Sequence, residues 1–218
     1  HEFELLRLSF IGRAGRDYAA SRGEYLNGII LAKYLGFEFI DAADVIFFKN
    51  DGTFDSEKTN DVMSERLEKV EYAVIPGFYG VNPDGSIKTF SRGGSDITGA
   101  IAAAAINADM YENWTDVSGI MTVDPRIVAN PRPIDKVTFS ELRELSYMGA
   151  EVLHEETVFP VRSKNIPLYI KNTNDMDAPG TLIMESFDED DDKRTNFITG
   201  ISGKKNYSII TVAKNRMN

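Results

Sequence analysis

The sequence predicts an α/β protein with a mainly parallel sheet. Helix-like and strand-like stretches alternate along the 218 residues, and turn signals such as the NPDG at 82–85 separate them. A chain of this length can bury one sizeable core, with room for a small second domain at one end. The composition, 42% hydrophobic and 27% charged, is that of an ordinary globular protein.

The first half of the chain is predicted to form helices and strands in turn. The stretch 24–36 is a helix candidate, since Leu26, Ile30 and Tyr34 fall near one face and Gly36 can end it. The further predicted elements are a β-favouring stretch at 37–48, a surface helix at 56–70, a buried strand at 72–80 and, after the turn, a short strand at 86–90.

The stretch SRGGSD at 91–96 joins this predicted hairpin to an alanine-rich helix. Glycines let backbone N–H groups approach a ligand, a helix N-terminus attracts anions, and Arg92 offers a planar fork for a carboxylate or phosphate. The alternative interpretation is a tight turn in which Ser95 caps the helix and Asp96 favours its dipole. Local chemistry leaves the two interpretations at even odds, because neither Walker-A nor Rossmann spacing is present.

The second half continues the alternation around one long loop at 116–135. Thr138 and Glu141 carry the spacing of a capping box at the start of a helix. The loop follows a strand end, where open α/β sheets bind ligands, so Arg126 is a candidate phosphate contact; an elaborate turn with surface charges is the alternative. The predicted elements are a strand at 110–115, a helix at 138–154, a further turn or helix, and strands at 166–172 and 180–184.

Two other charged positions are weaker candidates. The stretch at 21–26, SRGEYL, is predicted to be a small-residue turn that places Glu24 in the first turn of a helix. There Glu24 either favours the helix dipole, which is the simpler interpretation, or meets a substrate ammonium group. His154 ends a helix pattern, and a favourable contact with the helix dipole explains it better than catalysis.

The end of the chain differs in composition from the rest. The acidic run at 188–192 is most simply a solvated linker. Residues 196–215 predict two β-segments around a turn, and two strands cannot bury a core on their own. We therefore expect a main domain at 1–185, a linker at 186–195, and an incomplete second module at 196–218.

Charge and cysteine content limit the function classes. The net charge of −10 disfavours non-specific binding to nucleic acid or anionic membranes. The absence of cysteine excludes disulfides and thiolate zinc sites, and two histidines make a histidine-based metal site improbable. No apolar run reaches membrane-spanning length and no signal peptide is evident, so we expect a cytoplasmic enzyme.

Taken together, the motifs resemble the aspartate kinase branch of the amino acid kinase superfamily. The resemblance implies a three-layer αβα fold and an ACT-type regulatory region beginning near residue 196. It also implies transfer of the ATP γ-phosphoryl group to the side-chain carboxylate of L-aspartate, the first step toward lysine, threonine and methionine. The matching stretches are those at 21–26, 76–80, 89–96, 114–128 and 145–154.

The resemblance also assigns roles to individual residues. Glu24 would contact the substrate amino group, Arg92 its carboxylate, and Asp96 would be the catalytic aspartate that organises the site. ATP and Mg²⁺ would be required, with no metal ligand assigned to the chain. Ser91, Gly93 and Gly94 would complete the substrate pocket, and the ATP site would be lined by Thr115, Asp116, Met121, Arg126 and Arg132.

The chain also departs from the family pattern. Members begin with a glycine-rich KFGG-type loop whose lysine stabilises the transferring phosphoryl group, and no such segment occurs here. This predicts a fragment that is inactive alone, with a pseudokinase as the less favoured alternative. Met121 stands where relatives often carry an aromatic residue. The competing hypotheses are a kinase for acetylglutamate, glutamate or UMP, and a non-catalytic module that binds a nucleotide or an amino acid. Homo-oligomerisation through the regulatory region is expected.

Overall fold

The computed structural model of the protein describes residues 2–12, 15–147, 153, 155–187 and 198–203. The helices of this part are α1 (Glu2–Ile11), α2 (Arg16–Leu35), α3 (Ala42–Val45), α4 (Ser56–Leu67), α5 (Gly94–Ala105), α6 (Phe139–Tyr147) and α7 (Glu155–Ser163). The strands are β1 (Glu38–Phe39), β2 (Ala73–Val74), β3 (Tyr79–Val81), β4 (Ile87–Thr89), β5 (Tyr111–Thr115), β6 (Lys136–Thr138), β7 (Leu168–Asn172) and β8 (Thr181–Met184).

The strands form three sheets, and the α/β class is confirmed. Strands β1 and β2 pair in parallel, and β3 and β4 form the predicted antiparallel hairpin, with Tyr79 opposite Thr89. The four-stranded sheet has the order β5-β7-β8-β6. Its β5–β7 and β6–β8 pairs are parallel, whereas β7 and β8 run antiparallel.

Helix α5 lies between two hydrophobic cores, which explains its alanine-rich sequence. Ala100 and Ala103 join a core with the four-stranded sheet, while Ile101 and Ala105 join a second core with β3, α3 and α4. Small side chains on both faces let neighbouring elements approach the helix closely. Alanine also has the highest helix propensity. The helix that follows residues 91–96 is therefore a buried and rigid support.

Several predicted boundaries are confirmed. Helix α2 ends at Leu35, and Gly36 takes the left-handed conformation (φ 73°) of a C-cap. The predicted surface helix at 56–70 is α4. The capping box is present: Thr138 Oγ1 accepts a hydrogen bond from the Glu141 N–H at 3.2 Å, and Glu141 Oε2 accepts one from the Thr138 N–H at 2.9 Å.

Three local predictions are wrong. The stretch 21–26 lies inside α2, which begins at Arg16, so it is not a turn and Glu24 is not in a first turn. The strand predicted at 72–80 is divided into β2 and β3, because Pro76 cannot donate to a strand ladder. The stretch 37–48 contains the short helix α3, which Asp41 caps by accepting the Ala43 N–H at 3.0 Å.

Some predictions concern residues outside the described part of the chain. They are the end of the helix predicted at 138–154, the placement of His154, the acidic run at 188–192, and most of the two β-segments predicted at 196–215. In the part that is described, no helix combines the length and apolar character needed to cross a membrane.

Candidate functional site

The turn before α5 is built around Gly93. Gly93 is the N-cap of α5, and its backbone is left-handed (φ 53°). No side chain caps the helix, so the prediction that Ser95 caps it is wrong; Ser95 is already helical because Gly93 supplies the bend. The N–H groups of the first turn are left available at the positive end of the helix dipole, which is the arrangement of an anion-binding N-terminus.

The turn packs against the stretch 76–80 through direct backbone contacts. Phe78 has φ 83°, and its N–H donates to the Gly94 carbonyl and to Thr98 Oγ1, both at 3.2 Å. A Cβ at Gly94 would lie 2.8 Å from the Phe78 Cα, and one at Gly77 would lie 2.9 Å from the Ser95 Cα. Glycine is therefore required at both positions. A phenylalanine in this backbone conformation is strained, and such strain concentrates at functional sites.

The carboxylate of Asp96 is held from strand β5. Asn113 Nδ2 donates to Asp96 Oδ1 at 2.9 Å, and the Tyr111 hydroxyl donates to the Asp96 carbonyl at 3.1 Å. Neither strand residue was among the sequence-predicted site residues. The one available signal was an asparagine in the middle of a predicted strand, where such a residue is disfavoured.

Arg92 and Ser91 lie at the surface beside this turn. Both are exposed, and within the described residues Arg92 makes no hydrogen bond or ion pair. An exposed guanidinium with no internal partner is available to an anionic ligand.

Glu24 is not brought to this turn by any contact in the described structure. It is exposed on α2 and forms no hydrogen bond to residues 91–96. The acidic residue in the first turn of α2 is Asp17, whose Oδ2 accepts the Thr89 N–H at 3.1 Å. Asp17 thus ties the start of α2 to the end of β4, two residues before Ser91.

The loop after β5 begins at Thr115 and Asp116 and is closed by hydrogen bonds at its base. Thr181 Oγ1 accepts the Ile120 N–H at 2.8 Å and donates to the Ile134 carbonyl at 2.6 Å. Next to this base, Met121 and Pro133 form an isolated antiparallel β-bridge, and the Arg132 carbonyl accepts a hydrogen bond from the Thr122 N–H at 2.9 Å. The base is therefore fixed, and Met121 and Arg132 lie on its two facing segments.

Arg126 lies at the exposed tip of this loop in an ion pair with Asp124. The two side chains are 2.8 Å apart, and the Asp124 side chain also accepts the Arg126 N–H at 2.8 Å. Hydrogen bonding from Arg126 lowers the pKa of the Asp124 carboxyl. The Nε and Nη2 groups of Arg126 are therefore already bonded to Asp124.

The structure brings some predicted residues together and leaves others apart. Gly93, Gly94 and Asp96 form one turn with Arg92 beside it, and Asp96 is bonded to β5, the strand that ends at Thr115. No group of three or more metal-ligating carboxylate or histidine side chains occurs among the residues described. The two candidate loops are thus joined through a single strand.

The chain is similar to several known proteins. Residues 5–172 match the model of the amino acid kinase family. Aspartokinase 3 of Bacillus subtilis (strain 168) is 36% identical over 211 residues, which are 93% of this chain and 45% of that protein.

Two solved structures are also similar. The aspartate kinase of Clostridium acetobutylicum has 57% identity and a TM-score of 0.77, over 84% of this chain and 41% of that one. E. coli aspartokinase III in complex with aspartate and ADP has 30% identity and a TM-score of 0.72, over 79% and 41%. The chain spans less than half the length of each of these three relatives. Since the family model covers well over half of its residues, the chain belongs to the amino acid kinase family.

Proposed function

We propose that this chain carries the catalytic region of an aspartate kinase. The reaction transfers the γ-phosphoryl group of ATP to the side-chain carboxylate of L-aspartate and gives 4-phospho-L-aspartate. The observation that carries the proposal is the uncapped N-terminus of α5, where Asp96 is fixed in the first turn and Arg92 has no partner within the described part of the chain. Support comes from a relative solved with both aspartate and ADP bound.

The acceptor half of the site would lie at 91–96. Arg92 would bind the α-carboxylate of aspartate in a bidentate pair, while Ser91, Gly93 and Gly94 shape the pocket. Glu24 would meet the ammonium group; it lies on α2, the helix that Asp17 fastens to the strand leading into this turn. An ammonium contact and a carboxylate contact together favour an α-amino acid over a nucleotide as acceptor.

The nucleotide half would lie on the loop after β5. Its proposed contacts start at the strand end, where ligands of α/β sheets bind. Arg126 and Arg132 supply positive charge for phosphates, and Met121 contributes apolar surface. The proposed ATP contacts are Thr115, Asp116, Met121, Arg126 and Arg132.

The proposed chemistry needs positioning and charge neutralisation more than proton transfer. An aspartate side chain has an unperturbed pKa of about 3.9, so the acceptor is already ionised at neutral pH and needs no general base. Backbone N–H groups and arginines stabilise the charge on the transferring group. Mg²⁺ would bind with ATP, since it is usually held largely through the phosphates, and would neutralise phosphate charge; no side chain of this chain is assigned to the ion.

The organisation of the chain is part of the proposal. We assign residues 1–185 to the catalytic domain, 186–195 to a linker and 196–218 to the start of an ACT-type regulatory region. Oligomers would form through that region, and the protein would act in the cytoplasm.

The test is a comparison of acceptors together with an Arg92→Ala variant, made in the natural protein that carries this chain. We expect phosphorylation of aspartate, and a loss in kcat/KM for aspartate of about 10- to 100-fold in the variant, equivalent to roughly 1.5–3 kcal/mol. Folding should be unaffected, because Arg92 has no hydrogen-bond or ion-pair partner among the described residues.

Arg7→Ala serves as the matched control, since Arg7 is an exposed arginine whose ion pair is with Glu4 in α1. It should leave kcat/KM unchanged. Turnover of glutamate, acetylglutamate or UMP in place of aspartate would overturn the assignment. Binding of aspartate and ATP without turnover would favour a non-catalytic binding module.

A further inference from the structure

Asn113 occupies a position where an amide needs a specific reason to be present. It lies in the middle of β5, opposite Ile170 of β7, and is only 7% exposed. The neighbouring core is made of aliphatic residues such as Leu168 and Ile183. A buried amide costs free energy unless its hydrogen-bonding groups find partners, so the partners of Asn113 indicate its role.

The Asn113 amide hydrogens bind two groups, both connected with Asp96. Nδ2 donates to Asp96 Oδ1 at 2.9 Å and to the Tyr111 hydroxyl at 3.2 Å. The Tyr111 hydroxyl in turn donates to the Asp96 carbonyl at 3.1 Å, which closes a three-residue network. Gly99 makes this possible, because a Cβ there would lie 2.5 Å from the Tyr111 hydroxyl.

The two carboxylate oxygens of Asp96 have different surroundings. Oδ1 is held by Asn113. Oδ2 faces the turn, since a Cβ at Gly93 would lie 3.5 Å from it. Burial raises the pKa of Tyr111 to about 12, so its hydroxyl remains a donor throughout the physiological range. One oxygen is thus fixed by the strand, and the other is presented to the turn.

We propose that Asn113 is a positioning residue for phosphoryl transfer, which fixes the rotamer of the Asp96 carboxylate. It acts through Asp96 without touching the substrate, and it lies two residues before Thr115 on the same strand and the same face. Asn113 therefore fixes the position of the acceptor turn at 91–96 relative to the proposed nucleotide-binding loop that follows β5. This inference rests on the proposed kinase function.

The consequence is a defect in kcat more than in binding. Asn113→Leu keeps a side chain of similar size in the core but removes the donor to Asp96. Because a small misplacement of a reacting group costs up to about 100-fold, we expect kcat with aspartate to fall by about 10- to 100-fold, with the KM for ATP changed less than about threefold.

Asn113→Asp adds a readout that a purely structural role would not move. Two adjacent carboxylates can bond to each other only by sharing a proton. The ratio of variant to native kcat should therefore rise as the pH is lowered and fall as it is raised. This profile also decides the question if the leucine variant fails to fold.

Two further variants separate the possible failures. Thr59→Val removes a different buried hydrogen bond, which the Phe47 N–H donates to Thr59 Oγ1 at 3.0 Å. Thr59 lies in the other core, so this variant controls for an effect of lost stability alone. An equal fall in kcat for Thr59→Val, native kcat for Asn113→Leu, or a pH-independent ratio for Asn113→Asp would overturn the role of Asn113. Full activity of Asp96→Asn would instead overturn the catalytic assignment in the proposed function.

Discussion

Replacing Gly93 by alanine tests the geometry of the acceptor turn. The left-handed backbone of Gly93 (φ 53°) costs an alanine about 1–2 kcal/mol. Its new Cβ would also lie 2.5 Å from Cγ2 of Thr157, a side chain that is 2% exposed and fixed in α7. Such overpacking costs a further ~1–3 kcal/mol. We therefore expect Gly93→Ala to lower the free energy of unfolding by about 2–5 kcal/mol.

Gly36→Ala is the matched control for this measurement. Gly36 has a similar backbone (φ 73°), but a Cβ there would meet nothing within 4 Å. Its cost should be only the backbone part, about 1–2 kcal/mol. The lower entropy of the unfolded alanine chain affects both variants alike and cancels in the comparison.

Urea unfolding of the purified protein measures both values, and Thr157→Ser isolates the contact. Serine keeps the hydroxyl and removes Cγ2, so Gly93→Ala in the Thr157→Ser background should recover ~1–3 kcal/mol of the loss. Equal destabilisation by Gly93→Ala and Gly36→Ala, with no recovery in the serine background, would refute the close approach of α7 to the turn.

Two other predictions concern pH and nucleotide binding. Between about pH 10 and 12 the unfolded chain releases a Tyr111 proton that the folded protein keeps, so stability should fall as the pH rises. In unfolding experiments at alkaline pH, Tyr111→Phe should reduce this fall in the free energy of unfolding by on the order of 2 kcal/mol. An unchanged dependence of the free energy of unfolding on pH would contradict the prediction. Arg126→Ala should raise the KM for ATP about 10-fold with little change in kcat, as expected for a lost phosphate contact; an unchanged KM in steady-state assays would remove Arg126 from the nucleotide site.

Features that depend on neighbouring residues were predictable from the sequence. The capping box of Thr138 and Glu141 needs only two residues three apart, and both of its hydrogen bonds are present. The hairpin of β3 and β4 follows from the turn at 82–85, and the junction at residue 93 follows from its two glycines. In each case the chemistry that determines the structure lies within a few positions.

The sequence mispredicts the position of Glu24, because Ser21 and Gly23 are residue types typical of a turn. Gly23 costs a helix interior about 1 kcal/mol. Contacts of the buried Arg22 offset that cost: its guanidinium lies 4.5 Å from the Tyr18 ring centre and 4.4 Å from that of Tyr25, both in α2, and 5.2 Å from that of Tyr79 in β3. The spacing of Tyr18, Arg22 and Tyr25 is helical, so a signal for the helix was present in the sequence.

The contacts that complete the site are distant in sequence and could not be predicted from it. Asn113 and Asp96 are 17 residues apart, and Asp17 reaches Thr89 across 72 residues. The first pair depends on how β5 packs against α5, and the second on how α2 packs against β4. An isolated asparagine in a strand pattern does not reveal which carboxylate it will bind.

The assignment of residues 91–96 to aspartate binding is tested most directly by calorimetric titration of L-aspartate into the native protein and the Arg92→Ala variant. Saturable binding is expected in the native protein, with affinity reduced by about 10-fold or more in the variant, because one charge-assisted contact is lost. Equal affinity of the two proteins for aspartate, or binding of UMP or glutamate in its place, would contradict the assignment.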